Sequence, residues 1–527
     1  MSRAPERDPV IVVGSGIAGS LLALEAAEHG PVVVVSEGSL GDGSTRRAQG
    51  GIAAAIDPRD SIADHVRDTL AAGAGLCDED AVRLICREGP AQVMALLARG
   101  VRFDRGEGRL RLAREGAHSA ARVVHAGGDA TGAHIVAALS AALRRDPRIE
   151  VHEDERALEV LVADGAVAGL RTVTTGGRER VRAARAVALA AGGMGQLYSR
   201  TTNPLGATAD GPALAARAGA ALADLELVQF HPTALAVGTG PLALVSEAVR
   251  GEGGILRDAA GRRFMPDEHP MAELGPRDVV ARAIARHAAE GGADVTIDLR
   301  HLDPDEVHAR FPTVAALCAE HGLDLARDLV PVTPAAHYGI GGALTDMAGR
   351  TTLPGLFAVG ECAATGAHGA NRLASNGLLE AAVLATAAAR VLGEPAAAWP
   401  AGPLSPTVAV APPRPRGADP AVRAALQDAM WRGVGVERDD AGLRVAADAL
   451  AALPEGTDPA TDNLLLVGRL AAAAAALRTE SRGAHFRSDH PAPDPRQARR
   501  IAWVGGLPVA LPPATARRDR ALALEAA

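Results

Sequence analysis

The segment from Pro9 to Glu37 leaves the chain little freedom. An apolar run, Val10-Ile11-Val12-Val13, leads directly into Gly14-Ser15-Gly16-Ile17-Ala18-Gly19. A helical stretch from Ile17 to His29 follows and stops at Gly30, and a second apolar run, Val32 to Val35, ends at Ser36-Glu37. This order predicts a strand, a tight turn, a helix and a parallel strand. Gly14 makes the turn, Gly16 lets backbone approach a pyrophosphate at the helix start, and Gly19 lets helix and strand pack closely. An acid at position 37 ends the second strand, where it would take ribose hydroxyls. The glycine pattern by itself is common, and its strand–turn–helix–strand–acid context is what gives it weight. An acid there favours a ribose without a 2′-phosphate but does not separate NAD from FAD.

At 527 residues the chain needs two or three domains. After the Rossmann-like start the pattern turns to short β segments from about Ala157 to Gly193, with turns at Asp164-Gly165 and Gly176-Gly177. From Asp224 to Ala336 Gly-rich loops and charged helices suggest an inserted domain. Strand–turn–helix order then returns at Gly355 to Glu361, with a helix from about Asn376 to Leu392. The division expected is a dinucleotide domain (1–223 and 337–394), a capping domain (224–336), a Pro/Ala/Gly-rich linker (395–420) and a C-terminal part (421–527) that is helical to about residue 500 and loose after Pro513.

Net charge is −8, with no basic tail and no Arg stripe among aromatics, which leaves nucleic-acid binding without support. The four cysteines, Cys77, Cys86, Cys318 and Cys362, have no metal-site spacing and read as free thiols of a cytoplasmic protein; no metal is expected. The N-terminal residues carry mixed charge and do not read as a signal peptide. The apolar stretch Leu464 to Leu477 contains Arg469 and falls short of the roughly 20 residues that span a bilayer, so it reads as a buried helix and no membrane association is expected.

Further loops point to a flavin rather than a nicotinamide. Gly43 to Gly51 is polar and Gly-rich, and it contains Ser44, Thr45, Ala48, Gln49, Gly50 and Gly51. Val359-Gly360-Glu361 and Ala374-Ser375-Asn376-Gly377-Leu378 come near the end of the fold. Such loops would hold a ribityl chain and a ring edge with backbone groups, and a helix starting at Asn376 would turn its positive end to the ring. Asp210 completes the expected cofactor contacts.

With these residues in view, the chain resembles the fumarate reductase/succinate dehydrogenase flavoprotein superfamily over about residues 9–500. The marks are AQGGIAAA (48–55), REGAHSAARVVHAGGDATG (114–132), QFHPTAL (229–235), SEAVRGEGG (246–254), RRFMP (262–266), ELGPRDVVARAI (273–284), PAAHYGIGG (334–342), GECAATGAHGANRLASNGLLE (360–380) and ESRGAHFRSDHP (480–491). Within it the chain is most similar to the L-aspartate oxidases. Members that attach FAD covalently use a His five residues before the Gln of AQGG; here that residue is Ser44, which implies non-covalent FAD. Arg46-Arg47 and Gly377 depart from the usual oxidase pattern. Soluble fumarate reductases also lack the covalent His, so Ser44 does not separate the two.

The resemblance implies oxidation of L-aspartate to iminoaspartate, hydride passing to flavin N5 and electrons going on to O₂ or fumarate. The product would feed quinolinate synthase in NAD biosynthesis. It places Arg372, His337, His231 and Ser246 on the carboxylates, Glu115 on the ammonium, and makes Arg277 the acid/base, with Glu247 or Arg250 as relay partner. Guanidinium forks suit carboxylates. His231, His337 and Arg372 read as loop residues, where functional side chains concentrate, while His118 and His368 read as packing. Arg277 also fits a helix-start residue paired with Asp278 or Asp258, and Glu115 fits a surface pair with Arg114. The alternatives are a soluble fumarate reductase or succinate dehydrogenase flavoprotein, sharing every residue but differing in the meaning of Glu115, and an idle flavoprotein serving as a binding module.

Overall fold

The computed structural model describes residues 8–238, 240–394, 409–413, 415 and 417–511. Most of the expected linker (395–408, 414 and 416) and the C-terminal residues from 512 lie outside these. The molecule is mixed α/β. Five parallel strands form the central sheet in the order Leu356–Ala358, Ala186–Leu189, Val10–Val13, Val32–Val35, Ile149–His152. The first two apolar runs are buried throughout, as strands covered on both faces must be. Helices Ile17–Ala26 and Asn376–Leu392 pack against each other beside this sheet. The first is shorter than the sequence suggests, ending before His29.

The β-rich segment splits in two. Glu155–Ala163, Ala166–Thr174 and Glu179–Ala183 form an antiparallel meander. Ala186–Leu189, fully apolar, instead enters the central sheet beside Val10–Val13. A four-stranded antiparallel sheet runs Val228–Leu235, Leu329–Gly339, Val295–Asp298, Ile255–Arg257. With helices Arg277–Gly291, Pro304–Arg310 and Pro312–Ala319 it encloses its own apolar core around Leu256, Phe264, Ile284 and Ile297.

The C-terminal part carries helices Pro420–Gly433, Asp440–Ala452 and Pro459–Leu477. The third passes the length and composition of a membrane span, but two thirds of its apolar window is buried in the protein. The helical expectation fails after Leu477. Pro491, Pro493 and Pro495 cannot continue a helix, and Ile501–Val504 pairs with Leu222–Ala223 instead. This return is held by buried charge. Arg478 meets Glu226 at 2.8 Å and Glu480 at 3.0 Å and donates to the carbonyls of Gln497 and Arg499. All three side chains are at most 1% exposed. Removing one member of such a group leaves an uncompensated buried charge, at a cost of about 3–5 kcal/mol. Arg478→Met should therefore lower the denaturation midpoint markedly, as read by urea titration followed by circular dichroism. A change within about 0.5 kcal/mol would mean that solvent reaches this cluster.

Candidate functional site

One cavity of about 600 Å³ brings together loops from both ends of the chain. Its first wall is the turn after Val13. Gly14 has φ +108°, and a Cβ there would lie 2.2 Å from the Ala190 carbonyl oxygen, so only glycine is accommodated. A Cβ on Gly19 would lie 2.1 Å from the Gly14 carbonyl oxygen. Gly19 accordingly packs helix on turn and does not line the cavity, whereas Gly14, Ser15, Gly16, Ile17 and Ala18 do. The Thr45 hydroxyl accepts from the Ile17 N–H at 3.2 Å and ties the polar loop to this turn. Ser44, Thr45, Ala48, Gln49, Gly50 and Gly51 line the next stretch, and the buried Gln49 Oε1 has no partner among the described residues.

Glu37 and Asp210 also face the cavity. Arg156, which sequence reasoning missed, joins them: it donates to Glu37 and, at 2.6 Å, to Asp210. Farther along come Glu361, Ser375, Gly377 and Leu378. Ser375 sits at φ +60° just before the helix Asn376–Leu392, so the start of that helix borders the cavity. An orphaned Gln49 oxygen, a glycine cradle at a helix start and an acid at the second strand end fit a bound FAD.

The remaining wall is rich in arginine. Arg277 opens the helix Arg277–Gly291 and donates from Nε to Glu247 at 2.7 Å and from Nη1 to Gln229 Oε1 at 3.2 Å. The alternative pairing with Asp278 or Asp258 is not made; Asp278 meets Arg282 instead. Arg372 donates from Nη2 to the same Gln229 oxygen at 3.1 Å and stacks 4.5 Å above the Tyr338 ring. The Gln229 amide donates in turn to Asn371 at 2.7 Å and to the Arg372 carbonyl at 2.8 Å, which fixes its orientation. Burial and the neighbouring Arg277 pull Arg372 down to about 10. Its Nε is buried without a partner among the described residues, an unused donor at the cavity wall.

His231 and His337 lie with ring centroids 5.2 Å apart. Burial and then Arg277 hold both well below the usual imidazole range, so both are neutral. His231 Nδ1 accepts the Thr233 N–H at 3.2 Å, which leaves the proton on Nε2. His337 Nδ1 faces the Thr202 hydroxyl at 2.9 Å. Neither residue is in a loop, contrary to expectation. They sit on the paired strands Val228–Leu235 and Leu329–Gly339, whose register slips around His231 and Pro232. Pro232 cannot donate to the ladder, and the irregularity lets the pairing continue past it. Arg372 and Glu115 are in loops, as expected. His118 and His368 do not line the cavity; they bond the Ala374 carbonyl and Glu380.

Glu115 is not a surface residue paired with Arg114. Its side chain is 7% exposed and turned to the cavity. Ser375 donates to Oε2 at 2.7 Å, and His125 stands 3.5 Å from Oε1. Burial pushes its carboxyl up, but His125, Ser375 and Arg277 together outweigh that and hold it at about 2. The group is thus an anion with two of its roughly four acceptor positions open. Ser246 and Glu247 border the same space, and Arg250 lies 3.8 Å from Glu247. Gln229 and His125 lay inside motifs the sequence displayed, but no spacing rule shows that one amide would join two arginines.

The FAD binding domain family matches residues 9–378, and the fumarate reductase flavoprotein C-terminal family matches residues 459–505. An L-aspartate oxidase of Streptomyces coelicolor is 48% identical over 94% of this chain and 91% of its own length. One of Agrobacterium fabrum is 48% identical over 94% of both. A solved E. coli quinol fumarate reductase chain superposes with a TM-score of 0.86 at 31% identity, covering 96% of this chain and 98% of the other.

The cavity makes a pH prediction. Burial pushes Glu361 up to about 7, against the Gly339 N–H that bonds it at 2.9 Å. A folded value above the unfolded one adds stability that is complete below about pH 4.5 and is lost as pH rises through 7. Flavin-free protein should therefore lose up to roughly 3 kcal/mol more between pH 5 and 8 than a Glu361→Gln variant does. Urea midpoints at the two pH values measure this, and parallel losses would contradict it. Glu115, held down, acts in a separate window: its contribution is present above about pH 4.5 and is lost as pH falls towards 2.

Proposed function

The chain belongs to the L-aspartate oxidase family, and from that premise we propose how its own residues carry the reaction. The enzyme oxidises L-aspartate to iminoaspartate on non-covalently bound FAD, with O₂ or fumarate as electron acceptor. Bound FAD supplies the two-electron acceptor. Gly14 to Ala18 and the Ser44–Gly51 loop would hold its phosphates and ribityl chain, Glu37 and Asp210 its adenosine end, and Glu361 and Ser375 to Leu378 its ring edge.

Arg372 takes one substrate carboxylate with the N–H groups it does not spend on Gln229. His231 and His337 donate as neutral rings, and Ser246 adds a hydroxyl. Glu115 takes the ammonium on its open acceptor positions. Arg277 exchanges the proton. An arginine is a poor base, with an ordinary pKa above roughly 12, so it needs the relay that Glu247 provides at 2.7 Å, with Arg250 behind it. The cap that carries Arg277 and Ser246 closes over the substrate.

The observation that carries this reading is the buried, ionised Glu115. Succinate offers it no ammonium, so the buried anion would stay uncompensated. L-Aspartate brings an ammonium. Fumarate also lacks an ammonium, and its two carboxylates would rest on Arg372 and the histidines alone. The four unpaired cysteines support a reducing compartment, the cytoplasm. Because an imine hydrolyses in water, an enzyme that consumes it promptly, quinolinate synthase, is the expected functional partner.

Glu115→Gln tests the assignment. Charged hydrogen bonds contribute about 1.5–3 kcal/mol, so kcat/KM for L-aspartate should fall about 10- to 100-fold. Fumarate reduction should change less than about three-fold. Equal losses on both substrates would remove Glu115 from ammonium recognition.

A further inference from the structure

The Glu37 end of the cavity is tied to a distant part of the chain. Arg156, on the first meander strand, donates to Glu37 Oε1 and to Asp210 Oδ2. Asp210 Oδ1 accepts from the Thr208 hydroxyl at 2.8 Å and from the Asn463 amide at 2.9 Å. Asn463 belongs to the C-terminal helix Pro459–Leu477, no residue of which lines the cavity. Its own oxygen accepts from Arg217. Asp210 and Asn463 are 7% and 3% exposed.

Packing alone does not call for an amide at position 463. Its neighbours Leu464 and Leu465 are buried and apolar, and asparagine is a weak helix former. Its amide is spent on one acid at the cofactor end. Arg156 is equally specific. Glu37 and Asp210 face the same cavity, and the guanidinium between them bonds both and holds them in place. It uses Glu37 Oε1, leaving Oε2 for a ribose hydroxyl.

We propose that Asn463 and Arg156 are positioning residues for the adenosine half of FAD: they hold Asp210 and Glu37 in the arrangement that receives it. The C-terminal helix thereby sets cofactor affinity from outside the cavity. This rests on the reading that Glu37 receives the ribose.

The test uses full-length enzyme stripped of flavin and titrated by calorimetry with FAD and, separately, with ADP, which carries the adenosine half alone. Asn463→Leu and Arg156→Met should each weaken both ligands about ten-fold, the loss of one charged hydrogen bond. Leu464→Ala, in the same helix turn, should lower the melting temperature and leave both affinities within two-fold. Glu37→Gln separates the two layers. If it leaves ADP binding unchanged, the placement of the adenosine end is wrong and the proposal falls with it. If it weakens ADP while Asn463→Leu and Arg156→Met do not, the positioning proposal alone is wrong. Equal affinity losses in Leu464→Ala and Asn463→Leu would also overturn it, since Asn463 would then be ordinary packing. If Asn463→Leu does not fold, Arg156→Met, at a side chain 15% exposed, decides.

Discussion

Two guanidinium groups, Arg277 and Arg372, meet at one amide oxygen, that of Gln229. Like charges in a dry wall repel, and the site exists because the fold manages that repulsion. Gln229 offers a shared acceptor and is itself pinned by Asn371 and the Arg372 backbone. Glu247 neutralises Arg277 directly. Arg372, whose Nε has no partner among the described residues, and the ionised Glu115 line the same cavity. A pocket that presents a guanidinium and a carboxylate suits a ligand that carries both signs. The neutral histidines add donors without adding charge.

The members of this arrangement come from several elements. Gln229 and His231 are on one strand of the four-stranded sheet and His337 is on its partner. Arg277 opens a helix of the same unit, whereas Glu115, Arg372 and Ser375 come from loops around the central sheet. Substrate chemistry therefore depends on how these parts meet. The Arg478 cluster that returns the C-terminal segment to the body, and the Asn463–Asp210 contact, tie the third part of the chain to the same body.

The first strand–turn–helix–strand unit was legible because it obeys local rules: apolar runs of strand length, glycines where φ or close approach demands them, and an acid at the strand end. The helix from Asn376 to Leu392 was legible for the same reason. The candidate site residues could be listed, and all but Gly19 and Arg250 line one cavity. Other features were not legible. The strand setting of His231 and His337 was hidden because Pro232 and the following glycines read as turn signals, while tertiary pairing overrides them. The end of helicity at Leu477 was masked by Ala- and Arg-rich composition. Arg156 carries no local signal at all; its role follows from a meander strand passing between two acids.

The most direct measurement is anaerobic. The purified holoenzyme is mixed with L-aspartate, and separately with succinate, while flavin absorbance is followed. A site that presents an ionised Glu115 and Arg372 to one cavity predicts that L-aspartate bleaches the flavin and succinate does not. Bleaching by succinate alone would contradict it, because Glu115 would then have no part in choosing the substrate.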